Sequence, residues 1–269
     1  TRKQRMSLPT MPKTMTPALA EWLGMIVAEG HVDENRVRFS QKDDQIVRRF
    51  VDLTQGLFGL HCCEPRAYKC REVHEVEVVS RVLVAYIKAL GVKTGRSADV
   101  EIPNAVRRTT KECVVSFVSA VLGLEGCIRK TGNGKFEYDL SMASEKIIRQ
   151  IQMFLLNEGV EASYSTKVSM ATNGKRIQRT YHRLQICNSN ALVRLREVFG
   201  VYEPRKNAVL SEVRAQDRTA QNPLPITDLA KEIKNDINQL GIRKGEVFGA
   251  KHWALFRDSI TNRDGRRPT

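Results

Sequence analysis

The chain has 269 residues, 41% of them hydrophobic, enough to bury a substantial core in one large domain or two smaller ones. Its 44 Lys and Arg against 30 Asp and Glu leave a formal net charge of +14, which points to a polyanionic partner. There is no apolar run long enough to span a bilayer, no signal-peptide core after Thr1-Arg2-Lys3-Gln4-Arg5, and no CxxC pair among the six cysteines. A soluble intracellular protein without a disulfide or zinc scaffold is therefore expected.

Residues 1–16 are basic, carry Pro9 and Pro12, and read as an extended lead-in. Pro17 suits the first turn of a helix with Thr16 as its N-cap, and the helix runs to about Ala28. Ala20, Gly24 and Ala28 share one stripe of it, a small-residue surface that lets a second helix approach closely. It closes as Ala28-Glu29-Gly30. The alternating run Arg36-Val37-Arg38-Phe39-Ser40-Gln41 predicts a strand with Val37 and Phe39 inward and Arg36, Arg38 and Ser40 outward. A helix capped by Asp43 or Asp44 follows and closes near Gly56 to Gly59. Residues 61–79 read as two more strands, and 81–90 as a short helix stopped by Gly91.

After a linker from Lys93 to Pro103 the same order begins again. A helix from Glu112 to Leu124 carries Ala120 and Gly123 on its small-residue surface and closes as Leu124-Glu125-Gly126. A hairpin turn is signalled at Thr131-Gly132-Asn133-Gly134, followed by the alternating strand Lys135 to Met142. A helix from Ser144 to about Asn157, strands near 161–171 and 176–187, and a helix over 190–199 complete the second copy. The offset between copies grows from 96 residues (Glu29 to Glu125) to 109 (Gly91 to Gly200), as insertions in turns require, and we read an internal duplication. If the two small-surfaced helices pack together, Glu29 and Glu125 arrive at the same end of their interface. Two carboxylates held close repel unless a cation sits between them, which suggests a divalent metal site.

These residues resemble the LAGLIDADG homing endonuclease family, most closely the monomeric two-motif kind found within inteins. The motif endings Ala28-Glu29-Gly30 and Leu124-Glu125-Gly126 carry the resemblance, as does the passage from Leu90-Gly91-Val92 through Ile102-Pro103 into the second motif helix. It covers roughly residues 17–210. It implies an α+β fold of two pseudo-symmetric αββαββα units, 17–103 and 104–207, with saddle-shaped antiparallel sheets. A small helical extension over 208–269 follows, spaced like a helix-turn-helix. It also implies a monomer that hydrolyses both strands of a long double-stranded DNA site, leaves short 3′ overhangs, and needs no protein partner and no membrane.

By the same resemblance Glu29 and Glu125 bind Mg²⁺ beside the scissile phosphates, with Mn²⁺ able to substitute and Ca²⁺ expected to support binding without cleavage. Gln41 takes the family's polar position near the attacking water, with Ser144 as a shorter counterpart. Lys206 takes the basic position after the last helix of the second unit, while the first unit has Ser97 there and leaves Lys93 or Arg96 as stand-in.

The expected DNA surface comprises Arg36, Arg38, Ser40, Arg66, Lys69 and Arg71 of the first unit. In the second it comprises Arg129, Lys135, Glu137, Asp139, Ser141, Lys167, Lys175, Arg176, Arg179, Tyr181, Arg183 and Gln185. Residues 162–196 hold seven cations and no carboxylate, so the second unit is expected to supply more of the electrostatic affinity. The alternatives are a catalytically silent DNA-binding regulator on the same fold and an RNA-splicing maturase. The two retained glutamates favour the nuclease.

Overall fold

The computed structural model describes residues 9–63, 66–68, 73–132, 134–170, 178–200 and 203–215, together with Gln239. The chain divides into two compact units, Thr1–Gln216 and Asp217–Thr269. Apart from Gln239 the second lies outside the described residues, and with it the expected helix-turn-helix-like extension.

The first unit contains the αββαββα order twice. Its first copy comprises α1 (Pro17–Glu29), β1 (Gly30–Val32), β2 (Arg36–Gln41), α2 (Asp44–Phe58), β3 (Arg66–Tyr68), β4 (Val73–Val79) and α3 (Arg81–Ala89). A short α4 (Asn104–Arg107) leads to the second copy: α5 (Lys111–Glu125), β5 (Gly126–Lys130), β6 (Phe136–Met142), α6 (Glu145–Asn157), β7 (Ser163–Met170), β8 (Gln178–Ile186) and α7 (Ser189–Val198), followed by α8 (Pro204–Ser211). Each copy forms a four-stranded antiparallel sheet of the same topology, β1-β2-β4-β3 and β5-β6-β8-β7. The duplication read from the sequence is therefore a duplication of the fold.

The helices start where their caps put them. Thr16 Oγ1 accepts the Leu19 amide at 3.2 Å with Pro17 in the first turn of α1, and Asp43, Ser80, Ser144 and Asn188 cap α2, α3, α6 and α7 in the same way. α1 and α5 are apolar around most of their circumference and pack against each other, as buried helices do. Gly24 sits at their closest approach: a Cβ there would lie 2.6 Å from the Phe117 carbonyl oxygen and 2.9 Å from the Ala120 Cβ. Only glycine lets the backbones come so near. On the first sheet, Phe39 stacks on Phe50 and Phe50 on Trp22, whose indole N–H donates to Thr54 at 2.9 Å.

Three departures from the sequence expectation have local causes. Strand register places Gly30 opposite Phe39 and Gly126 opposite Leu140, so Phe39 corresponds to Leu140 and Gln41 to Met142. Ser144 instead matches Asp43 as a helix cap; it is fully buried and donates to the Val100 carbonyl at 2.6 Å. The pairing of Gln41 with Ser144 is thus two residues out of register. Secondly, the end of the 93–103 linker, Glu101 to Pro103, is packed down, with Ile102 buried, its amide donating to Gln150 at 2.8 Å, and Glu101 paired with Lys93 and Lys146. Thirdly, α8 was not anticipated, although Glu203-Pro204 carries the signal of a helix that begins at proline.

Candidate active site at the paired helix ends

α1 and α5 both end in a glutamate followed by a glycine in extended conformation, so each chain turns directly from helix into β1 or β5. Gly126 has no room for a side chain, because the Tyr138 hydroxyl lies over it and donates to the Leu122 carbonyl at 2.6 Å. A carboxylate in the last turn of a helix opposes the macrodipole, and here two such carboxylates feel each other. Burial, offset in part by Lys206, raises Glu29 above the ordinary carboxylate range. Burial and the Glu29 charge push Glu125 up to about 7, again against the pull of Lys206.

Gln41 and Lys206 organise the pair. The Lys42 amide donates to Gln41 Oε1 at 2.8 Å, which leaves the Gln41 Nε2 to donate to Glu29 Oε1 at 3.4 Å. Lys206, near the start of α8, donates to the Gly123 carbonyl at 2.6 Å and pairs with Glu203 at 2.8 Å. A cleft of about 650 Å³ opens here, lined by Glu29, Gln41, Lys42, Asp43, Asp44, Leu124, Glu203 and Lys206 among others. Lys42 and Glu203 were not singled out from the sequence, since nothing in its periodicity brings α8 to the ends of α1 and α5.

Lys93 goes elsewhere: its ammonium pairs with Glu101 at 3.6 Å, and Lys206 is the cation that acts on both glutamates.

The donor set suits a hard divalent ion. Two converging carboxylates, one of them pushed up to about 7 by burial and by the other's charge, leave room for cation charge that Lys206 only partly supplies. No group of three or more His, Cys, Asp or Glu that could hold a metal occurs among the described residues. The remaining ligands would be water and substrate oxygens, the usual pattern for Mg²⁺.

On the outward faces of both sheets the basic residues are largely paired with acids of the same face. Arg36 bonds Glu77 at 3.3 Å, Arg38 bonds Asp33 at 3.0 Å, and Ser40 donates to Glu75 at 3.2 Å. In the second repeat Arg129 and Arg183 both hold Glu137, Arg183 and Ser141 also reach Asp139, and Gln185 donates to Glu137. Burial alone would raise the Glu137 carboxyl, yet Arg129 and Gln185 hold it below its ordinary value. Lys167 and Tyr181 are cross-strand neighbours, as are Ser169 and Arg179; Lys167 and Arg179 are exposed, and so is Lys135. Lys69, Arg71, Lys175 and Arg176 lie outside the described residues, as does the side chain of Arg66.

Residues 112–200 match the family model of a LAGLIDADG-like domain. The chain is 29% identical over 197 residues to a replication factor C small subunit of Methanocaldococcus jannaschii, covering 72% of this chain and 10% of that protein. It is 28% identical over 159 residues to the glutamine–fructose-6-phosphate aminotransferase of the same organism (57% and 14%), and 25% identical over 186 residues to a subunit of the A-type ATP synthase of Pyrococcus abyssi (69% and 17%). The chain thus spans less than a fifth of the length of these relatives. Among solved structures, I-DmoI in complex with DNA and Ca superposes with a TM-score of 0.50 at 14% identity, covering 73% of this chain and 98% of that one. Full-length DUF199/WhiA from Thermatoga maritima gives 0.49 at 14% identity, covering 88% and 70%. No helix among the described residues is long and apolar enough to cross a membrane.

Proposed function

We propose that the chain, whose residues 112–200 match a LAGLIDADG-like domain, is a site-specific DNA endonuclease that acts as a monomer and cuts both strands of a long duplex with the help of a divalent metal. The observation that carries this reading is the convergence of Glu29 and Glu125, with Glu125 driven up to about 7 by burial and by its partner. A protein that only binds DNA has no use for two repelling carboxylates at the buried ends of its central helices.

Glu29 and Glu125 would hold the ion, which when bound neutralises phosphoryl charge and makes a coordinated water acidic. The chain's own residues do the rest. Gln41 fixes the rotamer of Glu29 and presents an amide beside it, and Lys206 sets a positive charge against both carboxylates. Alternate residues of the strands would face a major groove, which is wide enough to admit a β-ribbon. Mg²⁺ is the expected ion, Mn²⁺ a substitute, and Ca²⁺ a support for binding alone.

The three protein relatives share no chemistry with one another, yet each contains a stretch related to this chain that amounts to 10–17% of its length. A segment common to unrelated hosts is what a mobile insertion leaves. That supports the intein-type homing reading.

The test is selection of cleaved sites from a randomised duplex library in Mg²⁺, followed by the Glu29→Gln and Glu125→Gln variants on the selected site. Both variants should bind and fail to cut. Full cleavage by either overturns the assignment of the carboxylates, and specific binding without cutting in Mg²⁺ or Mn²⁺ replaces the endonuclease with a DNA-binding regulator.

A further inference from the structure

Lys206 can act at the paired carboxylates only if α8 is held in place, and α8 is a helix of eight residues. Its attachment is unusual. Arg196, on α7, donates through a single guanidinium nitrogen, Nη1, to three carbonyls at and just past its carboxyl end: Leu210 at 3.3 Å, Ser211 at 3.4 Å and Val213 at 3.3 Å. Carbonyls at a helix's carboxyl end lack the i+4 amide donors of its interior, and a cation at that end also meets the favourable side of the macrodipole. Arg214 donates to Ser211 and Val213 as well, but it belongs to the chain that follows α8 and so ties the helix to its own continuation. Arg196 ties it to the second repeat.

We propose that Arg196 is a positioning residue for Lys206. The path is continuous: α7 carries Arg196, Arg196 holds the carboxyl end of α8, Pro204 fixes its start, and Lys206 extends to the Gly123 carbonyl, two residues from Glu125. Pivoting of α8 about its buried Leu210 would withdraw Lys206 from Gly123. Arg196 therefore falls outside the DNA-facing cations, although it lies in the acid-free stretch that marks them in the sequence. The inference rests on the endonuclease reading for its catalytic consequence, but not for the positioning itself.

Two measurements on the full chain separate these. First, reaction of Lys206 with an amine-specific reagent, followed by mass spectrometry, should rise about fivefold in Arg196→Ala as local opening of α8 becomes easier. It should fall back in Arg196→Lys, which keeps a cation able to reach the same carbonyls. Arg196→Gln, which keeps a donor and most of the stem, serves if the alanine variant does not fold. Unchanged labelling overturns the proposal. Second, Arg196→Ala should cut the target about tenfold or more slowly under single-turnover conditions with DNA affinity within about twofold of the parent, as misplacement of a catalytic group does. In a Lys206→Met background the same substitution should cost nothing further. Additive losses overturn the proposal. A parent chain that cuts no DNA sinks the endonuclease reading and leaves the labelling result to decide this one.

Discussion

Lys206 donates to the Gly123 carbonyl at 2.6 Å, so the carboxyl end of α5 is capped by a cation from a helix that starts almost eighty residues later. The same ammonium lies close enough to Glu29 and Glu125 to lower both. Removing it as Lys206→Met should push both carboxylates further up. If the deprotonated pair holds the ion of the proposed cleavage reaction, the pH profile of cleavage should move to higher pH, read from single-turnover rates between pH 6 and 9. An unmoved profile would show that Lys206 does not act on the pair.

Glu125 also makes a prediction about stability without metal. Its folded value of about 7 lies above the ordinary 4.5, so its favourable contribution is complete below about 4.5 and is lost as pH rises through 7. Glu125→Gln should therefore stabilise the metal-free protein at pH 8 by about 1–3 kcal/mol, and the difference should vanish near pH 4. Denaturant titrations at the two pH values check it.

Gly24→Ala should destabilise the α1–α5 interface. The new Cβ meets the Phe117 backbone carbonyl at 2.6 Å, and backbone cannot move aside as a flexible side chain can. A loss of about 1–3 kcal/mol is expected from equilibrium unfolding, the usual scale for overpacking.

The two strands of the target should not be cut alike. Gln41 presents an amide to Glu29, whereas register puts the thioether of Met142 in the corresponding place. A nicked intermediate should accumulate on a supercoiled substrate. Gln41→Ala should slow the strand it serves by about tenfold or more and bring the two rates closer together.

Charges on the second sheet should divide into two kinds. Lys167→Ala and Arg179→Ala remove exposed cations and should each lower the salt dependence of DNA binding by about one counterion, with no loss of fold. Arg183→Ala leaves Glu137 with Arg129 and Gln185 but strips Asp139, whose side chain is 15% exposed, of its cation, leaving it Ser141 alone. It should cost about 2–4 kcal/mol of stability. Thermal unfolding beside salt-titrated binding tells the two apart.

Much of the architecture was legible in residue order because it depends on local rules. Pro17 after Thr16, Asp43 before an apolar helix and Gly132 to Gly134 between alternating runs each act within a few residues, and the duplication multiplied every such signal by two. The two motif glutamates and Gln41 were legible for the same reason. Register was not: a shift of two residues in a strand keeps the same side chains inward, so the alternation that predicts β6 cannot say whether Met142 or Ser144 is the counterpart of Gln41 in the second repeat.

The sequence by itself determined that this chain is a duplicated, basic α+β protein with a carboxylate at the end of each small-surfaced helix. Only the tertiary structure decided what surrounds those carboxylates. Lys93 pairs with a linker glutamate, Arg36, Arg38, Arg129 and Arg183 are engaged by neighbouring acids, and α8 carries Lys206 to the end of α5. Periodicity reports which face of an element is buried; which charges meet depends on contacts between residues tens of positions apart, and those arise only when the two repeats pack.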